Sequence, residues 1–291
     1  MTTTQFASPV NTPLLQKIIQ FPLTRIILGI ATFLLPFLLI QVVSSKFIND
    51  KMLSKIVQLL GACVGYMCYL LYARYVEKRG TPELNLSGFL GEFGLGFAIG
   101  GFMLSATVAL IALMGGFQIT ASSPWSVILI PLMVHITIGM VEEILLRGVF
   151  FRVVQQSLGS WLALLASAIL FGALHLANDN ISVLGFANIT AAGLLLAAAF
   201  MVTGRLWFCV AMHAAWNFFQ DGIFSVAVSG QQVHKGLFIS KMTGPDWLTG
   251  GAFGAEGSAF SLVVIITTTI ALLLIAKNKG RIVLPYWKRT T

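Results

Sequence analysis

The chain has 291 residues, 57% of them hydrophobic and only 10% charged, with a net charge of +8 and a mean hydropathy of +0.89. A soluble domain carries roughly 25% charged residues, so this composition excludes one. The basic residues punctuate the ends of apolar runs instead of forming a patch, which fits membrane topology and excludes nucleic acid as a partner.

Apolar runs of about 20 residues, enough to cross the ~30 Å hydrocarbon core, recur along most of the length. In chain order they predict spans over 21–44, 52–72, 88–114, 124–151, 161–177, 181–203, 206–228 and 258–276. The expected fold is therefore all-α: a polytopic membrane protein of about eight transmembrane helices in one bundle. It divides into a cytoplasmic N-terminal segment (1–20), a single helical domain (21–276) and a basic cytoplasmic tail (277–291). No cleavable signal sequence is read, because the first apolar run is too long for an h-region and lacks a small-residue cleavage site. Cys63, Cys68 and Cys209 all fall inside apolar runs, an odd number and no disulfide framework. With both termini in the cytoplasm, thirteen of the 18 basic residues lie on or toward that side, against Lys46, Lys51, Lys55, Lys235 and Lys241 on the other.

"GFAIG" at Gly96–Gly100 has the small-xxx-small spacing that lets helix backbones approach closely. The connection 229–257 is glycine-rich and carries Trp247; a plain surface loop is its simplest reading, a lid the alternative.

Against this background "GMVEEILLRGVFF" (Gly139–Phe151) is anomalous. A charge at mid-bilayer costs roughly 2.5–3.5 kcal/mol on insertion scales. Glu143 and Arg147 stand at i and i+4, so they can pair on one helical face. Glu142, turned about 100° away, then has no cation assigned to it. "FGALH" adds His175 on the fifth run, and "HAAWN" adds His213 and Asn217 one turn apart on the seventh. A spare carboxylate, two histidines and an amide on neighbouring helices hold the parts needed for water-mediated acyl cleavage. His135, seven residues before Glu142, reads as a packing or supporting residue. His234 reads as solvated, Cys209 as a helix neighbour of His213, and Asp221 as a solvated carboxylate near the membrane edge.

In that order, "EEILLR", "FGALH" and "HAAWN" resemble the three motifs of the CAAX-protease and bacteriocin-processing (CPBP) family of membrane proteins, a Glu-Glu-x-x-x-Arg, a Phe-x-x-x-His and a His-x-x-x-Asn. The motif core is 142–217, about the central third of the chain. The resemblance implies a glutamate-dependent intramembrane endopeptidase. It implies that Glu142 activates water with His175 alongside, that His213 and Asn217 stabilise the oxyanion, and that Glu143 and Arg147 are the supporting pair. The implied substrates are membrane-associated peptides or proteins, lipid-modified ones included; the short tail and compact loops point to a prokaryotic cytoplasmic membrane.

No cofactor is expected. Zn²⁺ on Glu142, His175 and His213 is the alternative, disfavoured because no H-E-x-x-H supplies two ligands and a base together. The cavity is expected to open toward the cytoplasm. The competing functional classes are a non-catalytic membrane scaffold or immunity factor, and a transporter using the same groups as a proton relay.

Overall fold

A computed structural model describes residues 14–231 and 234–289. Most of the expected N-terminal segment, residues 1–13, lies outside the described residues, as do 232–233 of the long connection and 290–291 of the tail.

In lipid the backbone must satisfy its own hydrogen bonds, and nearly every apolar run is helical. A short α1 (Leu14–Gln20) leads into α2 (Pro22–Phe47), whose proline at the first helical position loses no intrahelical bond. Asp50 caps α3 (Lys51–Tyr75) by accepting from the Leu53 amide at 2.7 Å. Then come α4 (Phe89–Leu113), a strand β1 (Phe117–Ser122) and α5 (Leu129–Glu143). The latter continues through a π-helical segment, Ile144–Phe151, into α6 (Arg152–Leu174). Ser182 caps α7 (Val183–Thr203), which ends on Gly204 in the left-handed conformation (φ 68°). Next are α8 (Leu206–Phe218), extended by a second π-helical segment, Phe219–Ile223, then β2 (Phe238–Met242), the single turn α9 (Asp246–Thr249) and α10 (Ala259–Asn278).

The chain is an all-α membrane protein apart from one two-stranded ribbon. Among the described residues six helical runs are long and apolar enough to cross a membrane, against the eight spans expected. The fourth and fifth expected spans fall in one run, Trp125–Leu174, whose direction breaks at Gly159 (φ 81°, ψ 171°). The seventh falls short because α8 and its π-helical extension are brief.

At Gly159 a side chain would strike the backbone of Val283–Pro285, which crosses it; Ser160 N donates to Val283 O at 2.9 Å, and Val283 N to Ser160 Oγ at 2.9 Å. The basic tail is thus fastened to α6 at its bend.

Helix α4 runs alongside α8 in the same direction. A Cβ at Gly96 or Gly100 would run into the carbonyl oxygen of Phe208 or Met212, which explains the small-residue spacing. Helix α5 opposes α8, with Gly139 against the backbone of Val210 and Ala214. At one end of the bundle β1 and β2 pair antiparallel, from Phe117↔Met242 to Ser122↔Phe238, with an irregularity between Ile119 and Ala121. The connection 229–257 is not a plain surface loop. It contributes β2 and buries Leu248, Phe253, Ala255 and Glu256 over the helix ends. The other end is held by a lattice of ion pairs: Glu77 meets Arg25 at 2.7 Å and Arg152 at 2.9 Å, and Glu83 meets Arg79 at 2.7 Å.

Candidate active site

The last turn of α5 delivers Glu142 and Glu143 just where the helix changes to π geometry; the Arg152 amide bonds five residues back, to Arg147 O. Arg147 Nη1 donates to Glu143 Oε1 at 2.9 Å and Nη2 to Gly193 O at 3.0 Å. Both side chains are fully buried, and the guanidinium lies 5.0 Å from the Phe171 ring centroid, a cation–π distance. The pair anticipated from its spacing is formed.

Glu143 has a second partner that spacing did not reveal. His213 Nδ1 lies 2.9 Å from the same Oε1. An ionised carboxylate only accepts, so Nδ1 carries the proton, and in the neutral ring Nε2 is left with its lone pair. That nitrogen is 4.0 Å from Glu142 Oε2. Glu142 has no arginine or lysine partner among the described residues and keeps a side-chain exposure of 30%. His175 sits at the C-terminal end of α6; its Nδ1 donates to Phe171 O at 2.7 Å and its ring stacks on Phe171 at 4.6 Å. Its Nε2 is likewise the nitrogen left over. Asn217, one turn beyond His213, is buried.

Glu142, His175, His213 and Asn217 line one cavity of about 720 Å³, whose walls are mostly apolar side chains of α2, α5, α6, α7 and α8. Three separate stretches of sequence thus converge on one space. Among the described residues, no group of three His, Cys, Asp or Glu side chains converges as a metal ion would require. Cys209 is buried and donates to Leu206 O at 3.1 Å, a helix neighbour as expected.

Asp221 is a correction. It is not solvated: it is 6% exposed and accepts from His135 Nε2 at 3.1 Å and His234 Nδ1 at 3.2 Å. His234 is exposed, but it is bonded as well as solvated. All three line the cavity, as does Glu256, which accepts from Ser229 Oγ at 2.7 Å and Trp216 Nε1 at 3.2 Å. Asp221 stood on the His213/Asn217 stripe. Its burial depends on chain after residue 224 folding back over it, which no helical periodicity reports.

The polar lining beyond the motif residues, Asn178, Ser229, Gln231, His234 and Glu256, comes from connections at the end bearing β1 and β2. Toward the arginine lattice the cavity's lining is apolar, Ile30, Leu146 and Phe150 among it, beside fully buried Ile144, Val149 and Leu206. An N-in orientation and a cavity open to the cytoplasm were expected together; the exposed polar lining, Gln231 and His234, lies at the end of the bundle opposite α1.

Residues 124–219 match the family model described as Type II CAAX prenyl endopeptidase Rce1-like, a segment containing all three motifs. The family resemblance read from Glu142 to Asn217 is thereby borne out. No curated protein and no solved structure matched the chain.

Proposed function

We propose that this chain, whose central segment is Rce1-like, is an intramembrane endopeptidase in which Glu142 activates water against a peptide bond of a membrane-associated or lipid-modified polypeptide. The observation that carries the reading is the convergence of Glu142, His175, His213 and Asn217 on one largely apolar cavity, with Glu142 the carboxylate that has no arginine or lysine partner among the described residues. Such a cavity suits an apolar peptide or its lipid, with a few convergent polar groups to fix it.

Glu142 takes a proton from water, the hydroxide adds to the scissile carbonyl, and the same proton passes to the departing amine as the C–N bond breaks. The free Nε2 of His175 holds the water or relays that proton. Asn217 donates its amide N–H to the oxyanion. His213 donates there in its imidazolium form, with Glu143 as counter-ion on Nδ1; one such donor is worth about 10²–10³ in rate. Glu143 and Arg147 act through His213, as positioning residues. The mechanism needs no metal. The protein works in the prokaryotic cytoplasmic membrane, with its termini inside.

The test compares peptides released by cells carrying the wild type or Glu142→Gln at matched abundance. Glu142→Gln keeps the shape and removes the base, so a set of peptides disappears while the protein remains folded, and chelators leave the wild-type set unchanged. Identical peptide sets from the two folded proteins would shift the reading to a scaffold. Loss under chelation with recovery on Zn²⁺ would shift it to a metalloenzyme.

A further inference from the structure

We infer that the cavity opens on the non-cytoplasmic side of the membrane, and that its substrate is a polypeptide segment presented on that side. The substrate half rests on the protease reading above; the orientation half does not.

The argument combines two asymmetries of the bundle. The first is charge. Twelve of the 18 basic residues lie at the end where α2, α4, α6 and α8 begin and α3, α7 and α10 finish, accompanied there by three acidic residues, Glu77, Glu83 and Glu92. The opposite end carries five lysines and five acidic residues, and so no net charge. Lysine and arginine near the ends of spans are retained in the cytoplasm. A bias of twelve to five, read over short connections, puts the arginine lattice inside.

The second asymmetry is access. Toward the arginine lattice the cavity is lined only by apolar side chains such as Ile30, Leu146 and Phe150, beside fully buried Ile144, Val149 and Leu206 and the buried Glu143–Arg147 pair. In the other direction the cavity runs past His135 and Asp221 to Asn178, Gln231 and His234. The last three belong to connections between helices, and Gln231 and His234 are exposed. The ribbon β1–β2 and the folded connection carrying Glu256 rim the same end.

Together these place the entrance outside the cytoplasm. A lipidated tail on the cytoplasmic face does not reach Glu142 from there. A polypeptide emerging from, or tethered to, the outer surface does.

Single-cysteine labelling tests the orientation. Cys63, Cys68 and Cys209 are replaced by serine or alanine, and one cysteine is introduced at a time, as Gln231→Cys at the mouth, Lys241→Cys on β2, or Lys279→Cys beyond α10; all three positions are exposed. A membrane-impermeant maleimide added to intact cells is expected to label Gln231→Cys and Lys241→Cys, and to reach Lys279→Cys only after permeabilisation. The inverse pattern overturns the inference and leaves the protease reading standing. The expected pattern with no Glu142-dependent peptide overturns the protease reading and the substrate half, and leaves the orientation. Where Glu142-dependent peptides are found, cut sites confined to cytoplasmic segments overturn the substrate half.

Discussion

Glu142 and Glu143 are chemically identical neighbours, and the structure gives them opposite surroundings. Glu143 is fully buried and accepts from both Arg147 and His213 through one oxygen. Glu142 is 30% exposed to the cavity, with His213 Nε2 at 4.0 Å as its nearest basic group. Removing one partner of a buried ion pair costs about 3–5 kcal/mol, because the other charge is left uncompensated. Substituting a partly exposed side chain without such a partner changes stability by about 0.5 kcal/mol or less. Glu143→Ala is therefore expected to lower the Tm of the purified protein clearly, and Glu142→Ala to leave it almost unchanged. Equal melting of the two would remove the supporting role of Glu143. The i, i+4 spacing made the Glu143–Arg147 contact legible in the sequence. The bond to His213 was not, because it depends on which face of α8 meets α5, a matter of tertiary packing. Asp221 was misread for the same reason: its two histidine partners come from 86 residues before it and 13 after it.

For the helices, apolar run length sufficed to find all the long elements but not to count the crossings. A run such as Trp125–Leu174 contains a change of direction that hydropathy averages away, although Gly159 marks it. The two π-helical segments follow directly on Glu143 and Asn217's turn, and a periodicity of 3.6 residues per turn does not mark them. Strand β1, six residues beside a long apolar helix, was masked by its neighbour, and β2 lay in what read as loop. The small-residue spacing of α4 did carry its meaning through. Gly100 faces the backbone of Met212, whereas Gly94 has nothing within 4 Å. The same substitution should then have opposite signs. Gly94→Ala relieves the helical cost of glycine, up to about 1 kcal/mol. Gly100→Ala forces α4 off α8 at a cost of about 1–3 kcal/mol. Thermal unfolding of the two variants in one detergent measures both; destabilisation of similar size would contradict the close approach.

Across the whole molecule the arginine end behaves as a clasp. Glu77, just past the end of α3, joins Arg25 of α2 and Arg152 of α6. Burial pushes its carboxyl up, but Arg152 and Arg79 more than offset that and hold it below the usual carboxylate range. A depressed folded value means the clasp is at full strength above the unfolded value of about 4.3. It weakens as pH falls through the folded value, since the unfolded chain then binds the proton more readily. The wild type should accordingly lose Tm on acidification below that point. Glu77→Gln should start lower at neutral pH and show a shallower loss; parallel pH profiles would exclude Glu77 as the clasp. Sequence asymmetry announced the basic end. It did not announce that three acids there are spent on internal pairing, nor that the cavity faces the other way.

The crossing of Val283–Pro285 over Gly159 also sets an order in time. Synthesis runs from N- to C-terminus, so α5 and α6 enter the membrane long before residue 283 exists. Until then the Ser160 amide lacks the carbonyl it will bond, and the bend at Gly159 within α6 has nothing of the tail lying across it. The helical run that carries Glu142 continues to that bend, and the part of α6 that ends beside His175 starts from it. The contact that lies across that bend is therefore among the last to form in biogenesis.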